Sequence, residues 1–124
     1  MSYEFPCNWV ILNGKYGSDF KEWLYTHHPE VRVFVYLADE GYYGVQGAVK
    51  PGETFSKSRT YDVFPAQWRG LRDGDLASVC GLKSAFFCSD KGYIAGFWKK
   101  EDAIEAAKYV ARRQELLEMF DLEE

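Results

Sequence analysis

The chain has 124 residues, of which 47% are hydrophobic and 18% aromatic. A chain of this length can close one hydrophobic core but hardly two, so we expect a single domain spanning residues 1–124. The formal net charge is −4, which argues against a protein that coats polyanions through an excess of Lys and Arg. No apolar run approaches the roughly 20 residues that span a bilayer. The sequence therefore predicts a cytoplasmic protein without a membrane segment.

The first half of the chain predicts a strand, a helix and a hairpin. A short apolar strand at Asn8–Leu12 precedes a turn signal at Asn13-Gly14. A helix capped by its first residue follows at Ser18–Thr26, with apolar residues at helical spacing. Residues 31–39 and 42–49 are rich in aromatic and β-branched side chains and flank a Glu-Gly pair, a pattern typical of a β-hairpin.

The second half predicts a short helix, two strands and a long helix. The short helix is capped by Asp73, runs to about Cys80 and ends at Gly81. The apolar segments 84–89 and 92–98 are the strands, and residues 100–120 form the longest helix. We therefore expect an α+β domain with a mainly antiparallel sheet of about five strands, helices on one side and a long C-terminal helix.

Candidate catalytic residues are few. The two histidines, His27 and His28, are adjacent at a helix end, where the helix dipole favours cations. The three cysteines are scattered without a C-x-x-C pair, and the carboxylates do not gather at metal-ligand spacing. No Ser-His-Asp or Cys-His arrangement follows from the spacing. The sequence therefore predicts a binding protein rather than an enzyme, with no cofactor and no metal.

Candidate binding residues are more numerous. Arginine can recognise phosphate through two hydrogen bonds, aromatic rings can stack on a base, and glycine permits close backbone approach. The same residues also have structural interpretations: the aromatic rings as core, and the arginines as partners of carboxylates such as Asp73 and Asp75 or of the C-terminal helix dipole. The candidate ligand-binding residues are Arg59, Arg69, Arg72, Phe86, Phe87, Gly92, Gly96, Trp98, Arg112 and Arg113.

A family resemblance rests on the run Trp68–Asp73, which reads W-R-G-L-R-D. From Thr54 onward the sequence resembles the C-terminal segment of the melanocyte-proliferating-gene exonuclease family, a branch of the DHH-type phosphoesterases. The preceding hairpin also suits that family's pattern. The matching positions are Phe55, Arg59, Pro65, Trp68 through Asp73, Leu76, Gly81, Phe86, Gly92, Ile94, Gly96, Glu101 and Ala103.

The departures from that family limit what the resemblance implies. The family's metal-binding histidine and aspartate motifs belong to a large N-terminal domain, for which this chain has no room. The family's Gly-Gly-His-like turn corresponds here to residues 95–98, which contain no histidine. The resemblance therefore implies the half that holds a phosphate-containing substrate, and we expect a stand-alone copy to bind without cleaving.

A second resemblance concerns size and layout alone. The chain is similar in these respects to small phage anti-Thoeris proteins, which sequester cyclic ADP-ribose signals. The first hypothesis is therefore non-catalytic sequestration of a phosphorylated nucleotide signal, such as cyclic ADP-ribose or a cyclic oligonucleotide, by a homo-oligomer. The alternative is a nucleic-acid-binding accessory domain that acts with a DHH-type nuclease.

Overall fold

A computed structural model describes residues 3–4, 8–12, 18–52, 54 and 59–120. Predictions that concern Cys7, the turn at Asn13-Gly14, the side chain of Ser18 and Phe55 lie outside the residues so described.

The described residues form one mixed sheet, three α-helices and a short 3₁₀ turn. The sheet has the spatial order β1-β2-β3-β4-β6-β5, in which the β2–β3 pair is parallel and the other pairs are antiparallel. The strands are β1 (Tyr3–Glu4), β2 (Trp9–Leu12), β3 (Val33–Leu37), β4 (Tyr43–Gly47), β5 (Ala85–Cys88) and β6 (Ile94–Phe97). The helices are α1 (Ser18–His27), α2 (Asp73–Cys80) and α3 (Lys100–Met119), and the 3₁₀ turn is Ala66–Trp68. The α+β class, the mainly antiparallel sheet and the long C-terminal helix are confirmed.

A large part of the hydrophobic core lies between the sheet and α3. Val35, Val45 and Ala95 are paired in register across β3, β4 and β6, so their side chains point to the same face of the sheet. All three are buried, and α3 contacts the strands that carry them. The face of α3 that is buried is built mainly of alanines, whose small side chains allow a helix to pack close to a sheet: Ala103, Ala106, Ala107, Val110 and Ala111.

The helix α1 lies against the opposite face of the sheet. Phe34 follows Val33 and precedes Val35, so its side chain points away from α3. Its ring contacts Phe20 of α1, with the ring centroids 5.5 Å apart. This corrects the expectation that the helices lie on one side. The physical reason is the parallel β2–β3 pair, which requires a crossover connection, and that connection contains α1.

The sequence prediction is right for the C-terminal end of α2 and wrong for its N-terminal end. Gly81 ends the helix as expected, with φ of 76° and its N–H donating to the Ala77 carbonyl at 2.8 Å. The predicted cap at Asp73 is wrong. The residue that caps the helix is Arg72, with no side-chain hydrogen bond, and Asp73 begins the helix with φ of 47°. Among the described helices, none is long and apolar enough to cross a membrane.

Candidate functional site

The run Trp68–Asp73 begins with a residue of the core. Trp68 is 6% exposed, and its ring stacks on that of Tyr109 in α3, with centroids 5.7 Å apart and an angle of 14° between the planes. It also contacts the ring of Phe64, which is fully buried. Trp68 therefore fixes the segment before α2 against the C-terminal helix.

Arg69 is directed to the backbone of the same segment. Its Nε donates to the Phe64 carbonyl at 2.8 Å, and a terminal nitrogen donates to the Asp62 carbonyl at 3.2 Å. Gly92 in the β5–β6 turn lies against the guanidinium, because a Cβ added there would be 2.7 Å from Arg69 Cζ. The arginine therefore braces the chain between residues 62 and 69, and the close approach at Gly92 is to this side chain.

Two further predicted arginines, both on α3, also contact protein groups. Arg112 is exposed and pairs with Glu115 one turn later, with 2.6 Å between the guanidinium nitrogen and the carboxylate oxygen. Arg113 is half-buried and donates to the Val63 carbonyl at 3.1 Å. Arg113 thus ties α3 to the segment that Arg69 braces.

The predicted aromatic residues form one cluster with Tyr42. The rings of Phe86 and Trp98 are stacked, with centroids 4.6 Å apart and 20° between the planes, and Tyr42 meets the rings of Phe86, Phe87 and Trp98 edge-on. Trp98 is 55% exposed. A Cβ on Gly96 would lie 2.7 Å from Cδ1 of Phe87 and 2.8 Å from Cε1 of Phe86, so this glycine lets both rings rest on the sheet. We call Tyr42, Phe86, Phe87 and Trp98 the aromatic cluster.

Two clefts flank the turn between β5 and β6. The first has a volume of about 440 Å³ and the second about 460 Å³. Lys91 and Tyr93 line both clefts. The first cleft is also lined by Gly70, Arg72, Phe87, Cys88, Ser89 and Asp90, and the second by Lys50, Arg59, Thr60 and Asp62.

The walls of these clefts are basic although the chain is acidic. The four cations Lys50, Arg59, Arg72 and Lys91 outnumber the two lining carboxylates, those of Asp62 and Asp90. Such a local excess of positive charge attracts anions regardless of the net charge of the protein. We call the four cations and the exposed ring of Tyr93 the basic surface.

Local hydrogen bonds hold the β5–β6 turn. The Ser89 hydroxyl accepts hydrogen bonds from the backbone N–H groups of Tyr93 and Ile94, at 3.2 and 3.4 Å. Gly92 supplies the left-handed conformation of the turn, with φ of 76°. Lys91 is exposed at this turn and Tyr93 is 39% exposed, so both can reach a molecule in either cleft.

Two of the three cations of the second cleft come from a short antiparallel ribbon. The Lys50 N–H donates to the Arg59 carbonyl at 2.6 Å, and the Tyr61 N–H donates to the Ala48 carbonyl at 2.8 Å. Val49 and Thr60 form the bridge between these bonds. The ribbon therefore places Lys50 and Arg59 side by side, although they are nine positions apart in the chain.

The structure brings together three of the ten predicted residues at the clefts: Arg59, Arg72 and Phe87. Arg69, Arg112 and Arg113 line neither cleft. Lys50 and Lys91 were not among the predicted site residues. The signal for them in the sequence is modest: Lys50 directly precedes Pro51-Gly52 and Lys91 directly precedes Gly92, so each stands next to a turn signal.

Within the described ranges, no group of three or more His, Cys, Asp or Glu side chains is placed to hold a metal ion.

Comparison with known proteins identifies relatives of one kind. The chain is 30% identical to the MYG1 exonuclease of Mus musculus over 105 residues, covering 80% of the chain and 27% of that relative. It is 30% identical to the human MYG1 exonuclease over 109 residues, covering 83% of the chain and 28% of the relative, and 29% identical to the Bos taurus protein over the same length. The chain therefore spans less than a third of these relatives. No solved structure matches it significantly.

A family model gives the same assignment. Residues 9–110 match the MYG1_exonuc model, described as Uncharacterised protein family (UPF0160). The match extends from β2 into α3 and so includes both clefts and the aromatic cluster. The chain belongs to the MYG1 exonuclease family.

Proposed function

We propose that this chain is a nucleic-acid-binding accessory part of a MYG1-type nuclease, and that it holds single-stranded nucleic acid on the basic surface. The observation that carries the proposal is the grouping of Lys50, Arg59, Arg72 and Lys91 around an exposed tyrosine in a protein of net charge −4. The relatives are named exonucleases, which supports nucleic acid as the class of ligand. Cleavage is assigned to the remainder of such a protein, because the chain spans less than a third of the relatives' length.

The chemistry of the surface suits an unpaired strand. Lys and Arg neutralise phosphates, while exposed aromatic rings stack on bases of any sequence. Phe87 belongs both to the first cleft and to the aromatic cluster, so the two features adjoin. The basic surface and the aromatic cluster therefore offer phosphate contacts and base contacts next to each other.

Sequestration of cyclic ADP-ribose or a cyclic oligonucleotide by a homo-oligomer stays a prediction. Arg69 and Arg113, two of the arginines assigned to its phosphates, donate to backbone carbonyls. Arg112 is paired with Glu115. A small cyclic ligand would use one cleft, whereas the basic surface extends over two. These contacts favour an extended ligand.

The test is fluorescence anisotropy of a labelled oligouridylate over a series of salt concentrations. Lys91→Gln and Arg72→Gln each remove one cation from the surface. Each should weaken binding and lower the slope of log affinity against log salt by about 0.7, the value expected per phosphate contact of a single strand. Lys108→Gln is the matched control. It makes the same change in charge, but Lys108 is exposed on α3 beside Glu105 and lines neither cleft.

The outcomes separate the hypotheses. Absence of oligouridylate binding by the native chain refutes the proposal, as do equal effects of Lys91→Gln and Lys108→Gln. Displacement of the oligonucleotide by stoichiometric cyclic ADP-ribose, recovered intact after heating, supports sequestration instead. Trp98→Ala tests the aromatic cluster: it should weaken binding by about 1–3 kcal/mol per stacked base while leaving the salt slope unchanged.

A further inference from the structure

Tyr61 lies beside the second cleft and close to two cations. Its side chain is buried, with 8% of the residue exposed. The guanidinium carbon of Arg32 is 4.8 Å from the ring centroid, and the Lys50 Nζ is 5.5 Å from it. Both distances are within the range at which a cation is attracted to an aromatic ring. Lys50 lines the second cleft, whereas Arg32 does not.

Arg32 is fixed by the last turns of α3. Its Nε and one terminal nitrogen donate to the two carboxylate oxygens of Glu118, at 2.9 Å each, and the other terminal nitrogen donates to the Pro29 carbonyl at 2.7 Å. Glu118 also accepts a hydrogen bond from Gln114 at 2.8 Å. A two-point arginine–carboxylate pair of this kind has a defined orientation. The Arg32 guanidinium is therefore held against Tyr61 by α3.

The carboxylate also stabilises the neighbouring cations. Arg32 and Lys50 share one aromatic ring, and without a counter-ion their like charges would favour separation. The negative charge of Glu118 offsets both, since Arg32 and Lys50 each contribute a favourable charge interaction to it. Glu118, Arg32, Tyr61 and Lys50 thus form a continuous chain of contacts from the end of α3 to the cleft.

We infer that Tyr61, held in place by the Arg32–Glu118 pair, positions Lys50 in the second cleft and couples the end of α3 to nucleic-acid binding. The inference rests on the proposed function, because Lys50 is one of the cations assigned to phosphate contact. A lysine side chain has four rotatable bonds and is otherwise free to adopt many conformations. The aromatic ring restricts its ammonium group to the cleft side, which lowers the entropy cost of each phosphate contact.

The test compares Tyr61→Leu with Lys50→Gln in the oligouridylate assay. Loss of the ring should weaken binding about two- to fivefold, the range expected for one partly exposed cation–ring contact. It should also reduce the salt slope in the same direction as Lys50→Gln. Tyr61→Phe keeps the ring and should keep native binding. In a Lys50→Gln background, Tyr61→Leu should cause no further loss, because the positioned group is gone.

A second variant addresses folding and the role of α3. Glu118→Gln changes an exposed carboxylate and keeps the side-chain shape, and its thermal unfolding shows whether the fold is intact. Glu118→Gln should weaken binding by the native chain relative to its effect in the Lys50→Gln background, where the only change is the loss of one negative charge. Additive losses in either double variant overturn the coupling, as does an unchanged salt slope for Tyr61→Leu. If Lys91→Gln weakens oligouridylate binding and Tyr61→Leu does not, the coupling is refuted and the proposed function stands. If the native chain does not bind oligouridylate at all, the proposed function is refuted as well.

Discussion

Two glycines offer a matched test of whether Arg69 is a structural brace. Gly81 and Gly92 both have φ of 76°, a conformation in which a side chain is strained. Their surroundings differ. A Cβ on Gly81 would meet nothing within 4 Å, whereas a Cβ on Gly92 would lie 2.7 Å from Arg69 Cζ and 3.0 Å from Arg69 Cδ. Alanine at each position therefore adds the same backbone strain, and only at Gly92 does it displace the guanidinium.

The expected cost follows from these contacts. Alanine in the left-handed conformation costs about 1 kcal/mol, so Gly81→Ala should lower the free energy of unfolding by about that amount. In the Gly92→Ala variant, Arg69 is flexible enough to move away from the added methyl group, but it then loses its bonds to the Phe64 and Asp62 carbonyls. Two such hydrogen bonds contribute about 2 kcal/mol together. Gly92→Ala should therefore cost about 3 kcal/mol in total, the sum of the strain and the lost hydrogen bonds.

Urea unfolding followed by tryptophan fluorescence measures both costs, with the slope of free energy against urea as a check that the unfolded states are comparable. In an Arg69→Ala background the extra cost at Gly92 should disappear, leaving about 1 kcal/mol of strain. Equal destabilisation by Gly92→Ala and Gly81→Ala would refute the assignment of Arg69 as a brace. So would an undiminished cost of Gly92→Ala after Arg69 has been removed.

Three further predictions concern stability and reactivity. Ser84→Ala should destabilise the fold by about 1–2 kcal/mol in thermal unfolding, because the Ser84 hydroxyl donates to Asp102 of α3 at 2.7 Å; a neutral effect would show that this contact is dispensable. Burial raises the pKa of the Cys88 thiol to about 12, so iodoacetamide should modify this thiol only after the chain has unfolded. Mass spectrometry measures the modification, and rapid labelling of the native chain would contradict the prediction. Burial alone would raise the pKa of Glu118, but hydrogen bonds from Arg32 and a neighbouring glutamine outweigh it and hold the pKa below its ordinary value. Ionised Glu118 therefore stabilises the fold above its unfolded pKa, and this contribution is lost as the pH falls through the folded pKa. The native chain should lose more stability than Glu118→Gln on acidification, and equal losses in urea titrations at neutral and acid pH would contradict this sign.

The order of helices and strands could be predicted from the sequence because its signals are local. The aromatic and β-branched runs around Glu40-Gly41 specify a hairpin, and Gly81 ends α2 because glycine adopts a left-handed conformation without strain. The run Trp68–Asp73 indicated the family, and the match of the family model to residues 9–110 confirms that assignment. The two-residue strand β1 was not predicted, since two residues carry no detectable periodicity.

The placement of charge could not be predicted in the same way. The run W-R-G-L-R-D presents two similar arginines, yet Arg69 bonds two backbone carbonyls and Arg72 lines a cleft. Which one turns inward depends on where the chain at residues 62–64 passes, and no local pattern specifies that path. Lys50 and Lys91 are 41 positions apart and meet at one cleft. The sequence determined the elements and the family because hydrophobic periodicity, turn chemistry and motif identity act over short distances. Only the tertiary structure decided which cations share a surface, because strand pairing and loop packing bring together residues that are distant in the chain.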